Sequence, residues 1–168
     1  SGRLHFGVTG TDVIQEKLVG FNRLVDPVSE LGFGFADLII AVPRFWVDVE
    51  TLDDLDAVAA QFRYKHGYRL RIATKYHRLL REFLMKAGVA DYQIVDSQGA
   101  TEGAVKYGLA EAIADITSTG NTLKANHLKI LSDGLILKSQ ATLFKSLSAE
   151  FSQEESQIAN LLIEKLST

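Results

Sequence analysis

Short apolar segments rich in β-branched residues alternate along the chain with longer segments in which apolar residues recur every three or four positions. The first pattern is typical of β-strands and the second of amphipathic helices. Their alternation predicts an α/β fold with a mainly parallel sheet. The strands are predicted at His5 to Thr9, Arg23 to Val28, Asp37 to Val42, Arg69 to Thr74, Tyr92 to Val95, Ala112 to Thr117 and Leu135 to Leu143.

Helical periodicity predicts three clear helices between and after these strands. Two of them, Thr51 to Lys65 and Tyr76 to Lys86, are each followed by a glycine that ends the helix. The third lies near the C-terminus, where Ser152 and Glu155 have the spacing of a capping box. We expect the apolar faces of these helices to pack on the sheet.

Composition and charge exclude several classes of protein. The chain has 168 residues, 46% of them hydrophobic, and a formal charge of −3 without a run of lysine or arginine. We therefore expect no nucleic-acid binding, and a phosphate ligand would need local contacts. Cysteine is absent, which excludes a thiolate metal site. No apolar segment is long enough to span a bilayer, and no signal segment precedes the first strand, so a cytoplasmic protein is predicted.

Histidine spacing gives no support for a metal site. The four histidines have no close metal-ligand spacing, and we expect them at the surface or in packing contacts. They are His5, His66, His77 and His127.

One segment carries the clearest chemistry: a buried strand, Ala112 to Thr117, runs into a turn rich in hydroxyls and then into a helix. Gly120 allows close approach of the backbone to a ligand, and backbone N–H groups with threonine and serine hydroxyls can bind phosphate oxygens. Asp115 lies toward the carboxyl end of the strand, where it could accept hydrogen bonds from ribose hydroxyls. Together these residues suggest a sugar phosphate. The alternative interpretation is a plain turn and helix cap.

The segment is not a Walker A loop, because the required glycine and lysine spacing is missing. It resembles the 5-phosphoribosyl-1-pyrophosphate (PRPP) loop of the ATP phosphoribosyltransferase family, and the resemblance continues over residues 3 to 147. The further motifs, in the order of the family, are Gly7 to Asp12, Leu31 to Gly34 with Ala41 to Pro43, Arg71 to Tyr76, Lys124 to Leu128 and Gly134 to Ala141.

The resemblance implies a fold of two α/β lobes with a cleft between them, similar to type II periplasmic binding proteins, in which the second lobe is inserted into the first. We expect lobe I to comprise residues 1–69 and 135–168. Lobe II, residues 70–134, would carry the PRPP loop.

The resemblance also implies an activity, the transfer of the 5-phosphoribosyl group from PRPP to N1 of ATP, which opens histidine biosynthesis. Magnesium is expected to bind with PRPP and pyrophosphate; no metal ligand and no general base is identified among the residues. The residues expected to bind ATP are Thr9, Gly10, Asp12, Lys75 and Tyr76. Those expected to bind PRPP are Glu102, Asp115, Thr117, Ser118, Thr119, Gly120, Asn121 and Thr122.

The family further implies partners and a longer chain. Homo-oligomers and a histidyl-tRNA-synthetase-like regulatory subunit are expected from the resemblance to the short form of the family. The family opens with a strand and a Lys-Gly-Arg turn that have no counterpart here. The chain as written is therefore expected to be inactive or weak on its own.

Two other function classes fit parts of the sequence. A two-lobed solute-binding module without catalysis would share the architecture. A type I phosphoribosyltransferase acting on a nucleobase would share a threonine-glycine phosphate loop. That class has a pair of adjacent acids before its loop, whereas Ala114 precedes Asp115 in this chain, so it is the weaker alternative.

Overall fold

A computed structural model describes residues 4–97 and 99–166. The chain forms two compact units. The smaller unit is built from the residues up to Phe35 and those from Ser139 onward, and the larger unit, Ala36–Lys138, is inserted between these two segments. The predicted α/β fold with one unit inserted into the other is confirmed.

The elements follow one another as strand and helix in most of the chain. In order they are β1 (Phe6–Gly10), α1 (Thr11–Lys17), a 3-10 turn (Phe21–Arg23), β2 (Val25–Glu30), β3 (Ala36–Pro43), α2 (Leu52–His66), β4 (Leu70–Thr74), α3 (His77–Ala87), β5 (Tyr92–Asp96), α4 (Gly103–Lys106), β6 (Ala112–Thr117), α5 (Asn121–Ala125), β7 (Leu128–Ser139), β8 (Ala141–Ser146) and α6 (Gln153–Leu166).

The larger unit contains a five-stranded sheet in the order β5-β4-β6-β3-β7. β4 is parallel to β5 and to β6, but β3 is antiparallel to β6. In the smaller unit, β8 lies between β1 and β2 and is antiparallel to both. The expectation of a mainly parallel sheet is therefore wrong, because a buried central strand has the same continuous apolar pattern in either direction.

The predicted last strand is also different in the structure. In place of one strand over Leu135 to Leu143, β7 begins at Leu128 and ends at Ser139, and β8 begins at Ala141. The buried residues of β7 do not alternate regularly with exposed ones, so its first half lacks the period-two pattern by which strands are predicted.

The boundary between the two units lies earlier in the chain than expected. Residues 36–69, predicted to belong with lobe I, lie in the larger unit. The reason is strand pairing: β3 pairs with β6 from Asp37 opposite Thr117 to Ala41 opposite Ile113. This pairing makes β3 a central strand of the larger sheet.

The core of the larger unit lies on both faces of its sheet. One face is covered by α2 and α3, with Leu55, Leu80 and Leu84 fully buried against strand residues such as Ile72. The opposite face buries Ile39 and Ile113 against other apolar residues that include Leu123 of α5. Side chains alternate between the faces along a strand, so Asp115 and Thr117 are on the same face as Ile113.

Helix α2 begins with a complete capping box. The Thr51 hydroxyl accepts a hydrogen bond from the Asp54 N–H at 3.2 Å, and the Asp54 carboxylate accepts from the N–H of Thr51 at 2.9 Å. The N–H of Glu50, the Thr51 hydroxyl and the Thr51 N–H all donate to this carboxylate and lower the pKa of Asp54. Gly67 ends the helix in the left-handed conformation, as the sequence predicts.

Candidate functional site

The candidate PRPP residues lie where parallel strands of the larger unit end together. Thr74 of β4 stands opposite Asp96 of β5, and Ala73 of β4 stands opposite Ile113 of β6. The carboxyl ends of these strands therefore meet at one edge of the sheet. Ligands bind at such edges in α/β proteins.

Asp115 is a largely buried carboxylate with a fixed orientation. Its side chain is 14% exposed, and its Oδ1 accepts a hydrogen bond of 2.8 Å from the N–H of Ile116. The ammonium of Lys75 lies 3.8 Å from the same oxygen. An oriented carboxylate of this kind is suited to accept hydrogen bonds from a pair of ribose hydroxyls.

The turn after β6 is held in shape by its own threonines. The Thr117 hydroxyl oxygen accepts from the N–H of Gly120 at 3.0 Å, and the Thr119 hydroxyl oxygen accepts from the N–H of Asn121 at 3.4 Å. Gly120 has φ 71°, in the left-handed region. As acceptors in these bonds, the hydroxyls can still donate their own protons to a phosphate oxygen. Ser118 and Thr119 are exposed.

A cavity of about 400 Å³ adjoins this turn. Its volume is within the range of small-ligand sites, and its lining includes the turn from Thr117 to Gly120 together with Lys124, Arg44 and Lys129. Lys129 is already paired with Glu50. Lys124 lies one helical turn after Gly120, whose carbonyl accepts from the Lys124 N–H. The cavity therefore places cations beside the candidate phosphate turn in a chain of net negative charge.

Sequence reasoning misses the cations of this cavity, among them Arg44 and Lys124. The sequence pattern around Arg44 indicates only a hydrophobic anchor after a strand. Lys124 is noted only as part of a segment that resembles the family. The two come from different elements, far apart in the chain. Their shared cavity follows from the position of β3 beside β6, which the sequence pattern does not indicate.

The candidate ATP residues of the larger unit follow β4. The Tyr76 side chain is buried, with 5% of the residue exposed, and packs in a cluster with Leu38 and Leu79. The Lys75 ammonium lies 5.4 Å from the centre of the Tyr76 ring. Helix α3 begins at His77, whose Nε2 lies 2.9 Å from the Asp96 carboxylate. A contact of Tyr76 with adenine stays a prediction.

Glu102 lies in the turn between β5 and α4. It directly precedes α4 and is partly exposed. Within the same turn, the Ser97 hydroxyl donates to the hydroxyl of the buried Thr101 at 3.0 Å. Gln98 lies outside the described residues. A role of Glu102 toward PRPP stays a prediction.

The candidate ATP residues of the smaller unit form a tight structural contact. Asp12 is 4% exposed; its N–H donates to Ser139 Oγ at 3.1 Å, and the Ser139 hydroxyl donates to Asp12 Oδ1 at 2.6 Å. A Cβ atom at Gly10 would overlap this carboxylate oxygen, so a larger residue would require the carboxylate to move. Thr9 is in β1, opposite Thr142 of β8. The Asp12 carboxylate thus joins α1 to the end of β7.

The donor set indicates how magnesium could be held. Among residues 4–97 and 99–166, no three histidine or acidic side chains are grouped so that they could hold a metal ion. Magnesium accepts carboxylate oxygens together with phosphate oxygens and water. Magnesium would then be held by phosphate oxygens of PRPP and by water.

The described helices include none that is both long enough and apolar enough to cross a membrane.

Among solved structures, the fold is similar to that of the ATP phosphoribosyltransferase (HisG:HisZ) complex from Thermotoga maritima. The TM-score is 0.71 at 22% identity, over 98% of this chain and 71% of the other. It is also similar to a mutant of ArgBP from the same organism, with a TM-score of 0.53 at 15% identity, over 89% of this chain and 59% of the other. At these identities the likeness shows the fold alone.

Sequence relatives identify the family. The chain is 66% identical over 161 residues to the ATP phosphoribosyltransferase of Cereibacter sphaeroides, covering 96% of this chain and 68% of that protein. It is 50% identical over 162 residues to the enzyme of Mesorhizobium japonicum, covering 96% and 70%, and 46% identical over 167 residues to that of Afipia carboxidovorans, covering 99% and 51%. The chain thus spans between about half and 70% of these relatives. The sequence profile of the ATP phosphoribosyltransferase family, HisG, matches residues 1–168, and this chain belongs to that family.

Proposed function

We propose that this chain takes part in the transfer of the 5-phosphoribosyl group from PRPP to N1 of ATP, the first step of histidine biosynthesis, in the cytoplasm. The observation that carries the proposal is the arrangement at the end of β6. A largely buried, oriented Asp115 stands two residues before a hydroxyl-rich turn, and that turn lines a cavity with Lys124. The family's reaction requires this combination, because PRPP presents ribose hydroxyls and phosphates on one molecule.

In this proposal the turn binds the phosphate of PRPP and the aspartate binds its ribose. The hydroxyls and N–H groups between Thr117 and Thr122 hold the 5-phosphate, and Lys124 contributes positive charge. Asp115 accepts hydrogen bonds from the ribose hydroxyls, which fixes the sugar relative to the phosphate. Such fixed positioning supplies a large part of the catalysis when two substrates must be aligned.

The reaction is a displacement at the anomeric carbon of the ribose. The lone pair of adenine N1 forms the new bond to this carbon as its bond to pyrophosphate breaks, and the bonding electrons leave with pyrophosphate. Positive charge spreads over the ribose ring in the transition state, where the nearby negative charge of Asp115 is favourable. Magnesium, when bound with the pyrophosphate, neutralises the charge of the leaving group.

Calorimetric titration of the chain with PRPP and magnesium tests the proposal. Asp115→Asn keeps the shape of the side chain but removes its charge, and Thr117→Val removes the hydroxyl that organises the turn. A hydrogen bond to a charged group contributes about 1.5–3 kcal/mol, so each change should weaken PRPP binding about tenfold or more. Asp91→Asn is the matched control, because Asp91 is a carboxylate paired with Arg63 outside the site. A wild-type chain that binds no PRPP, or an Asp115→Asn variant that binds it unchanged, would contradict the proposal.

We also propose that the chain assembles with copies of itself and with a histidyl-tRNA-synthetase-like regulatory subunit. The support is membership in the family and the similarity of the fold to a HisG:HisZ complex. Light scattering coupled to size exclusion, with and without such a subunit, should show a defined homo-oligomer and a larger mixed assembly. A monomer in both samples would contradict this part of the proposal.

A further inference from the structure

The register of two strands places Lys75 beside Asp115, a candidate PRPP-binding residue. β4 and β6 are parallel, with Ala73 opposite Ile113. Lys75 directly follows the last residue of β4 and comes beside Asp115 of β6, with its ammonium 3.8 Å from the Asp115 carboxylate. The contact is therefore determined by the pairing of the two strands as well as by the side chains.

The contacts of Asp115 differ between its two carboxylate oxygens. Both the Ile116 N–H, at 2.8 Å, and the Lys75 ammonium, at 3.8 Å, approach Oδ1. These two contacts fix the plane of the carboxylate from one side. Oδ2 is then the oxygen that can accept a hydrogen bond from a ribose hydroxyl. A rotated carboxylate would lose this geometry.

The position of the ammonium is itself defined by a second contact. Lys75 lies over the ring of the buried Tyr76, with its nitrogen 5.4 Å from the ring centre. An ammonium over an aromatic face is attracted by the ring electrons. The lysine side chain is 48% exposed, whereas the aspartate side chain is 14% exposed, so the ring contact helps to hold a partly exposed ammonium beside the carboxylate.

We propose that Lys75 is a positioning residue for PRPP, which orients the Asp115 carboxylate so that Oδ2 receives the ribose. This inference rests on the proposed function, since it concerns the same site. It assigns Lys75 to the PRPP side, whereas the family resemblance implied the ATP side. Lys75 affects PRPP binding by orienting Asp115, and the lysine does not need to contact a phosphate.

A double-mutant cycle tests whether Lys75 acts through Asp115. PRPP affinity is measured by calorimetry for the wild-type chain, Lys75→Met, Asp115→Asn and the double variant. An ion pair with an exposed partner contributes up to about 1 kcal/mol, so Lys75→Met should weaken PRPP binding about two- to fivefold. In the Asp115→Asn background the same change should have almost no effect, because the neutral amide forms no ion pair with Lys75. Lys75→Arg should restore most of the affinity.

Two controls separate positioning from direct phosphate binding and from general damage. Pyrophosphate has no ribose, so its affinity should not change in Lys75→Met. Lys106 also lies over a neighbouring tyrosine ring, at 5.9 Å from the centre of Tyr107, and Lys106→Met should leave PRPP binding unchanged. The inference would be overturned if Lys75→Met weakened the binding of PRPP and of pyrophosphate equally. It would also be overturned if Lys75→Met weakened PRPP binding equally with and without the Asp115 charge. Either result would leave the proposed function intact. A wild-type chain without PRPP affinity would instead remove the proposed function.

Discussion

Substitution of Gly120 by alanine tests whether PRPP binding depends on the shape of the phosphate turn, apart from any loss of stability in the unit that contains the turn. Gly120 has φ 71° and ψ 3°, and a Cβ atom at this position would meet no other atom within 4 Å. The change therefore introduces no clash. Its whole effect in the free protein comes from the backbone, since alanine is disfavoured in the left-handed region.

The size of this effect can be estimated from two opposing contributions. A non-glycine residue in the left-handed conformation costs about 1–2 kcal/mol, and the lower entropy of the unfolded alanine chain offsets about 0.4–1 kcal/mol. The net loss of folding free energy is on the order of 1 kcal/mol. With a urea dependence of about 2 kcal/mol per M, the unfolding midpoint should fall by about 0.5 M.

Gly67 provides a closely matched control. It ends α2 with φ 76° and ψ 0°, and a Cβ atom added there would also meet no other atom within 4 Å. It lies in the same unit as Gly120, so Gly67→Ala should lower the urea midpoint by a similar amount. PRPP affinity, measured by calorimetry, should fall about tenfold in Gly120→Ala, as for one lost hydrogen bond to a charged group, and stay unchanged in Gly67→Ala. Equal PRPP affinity in the two variants would refute the assignment of the turn.

Two further predictions concern stability. Ser139→Ala removes a hydrogen-bond partner from both the N–H and the carboxylate of the buried Asp12, and should cost about 1–3 kcal/mol in urea unfolding; an unchanged midpoint would contradict that role. The pKa of Asp54 is lowered by the N–H of Glu50 and by the hydroxyl and N–H of Thr51, so its contribution is present above the unfolded pKa of about 4 and lost as pH falls through the folded value. Asp54→Asn should destabilise the chain at pH 6 and less so near pH 3, and an equal loss at both values would contradict this sign.

Much of the fold can be predicted because local signals agree with the final structure. The predicted and observed bounds of helices α2 and α3 agree within a residue at each end, since each helix is followed by a glycine that adopts the left-handed conformation. The capping box at α6 is present, with the N–H of Glu155 donating to Ser152. Strand direction is not predictable in the same way, because the apolar run of β3 carries no signal of whether its neighbour is parallel.

The candidate site is predictable to the extent that it is local in sequence. Asp115 and the turn up to Thr122 form one continuous segment, so a single motif indicates them together. The cavity cation Arg44 comes from a different element, which only strand pairing places nearby. Asp12 shows the opposite case, since its position just inside a helix is typical of a capping carboxylate, whereas in the structure it is buried and accepts a hydrogen bond from Ser139, which is distant in sequence.

The most direct test of the central claim is an amide chemical-shift map of the chain during titration with PRPP and magnesium. If the turn after β6 is the phosphoribosyl cradle, the largest saturable shifts should be those of the amides from Asp115 to Thr122, with Gly120 and Asn121 among them. The same amides should move less with Asp115→Asn at equal PRPP concentration. Saturable shifts confined to other parts of the chain, with these amides unchanged, would contradict the claim.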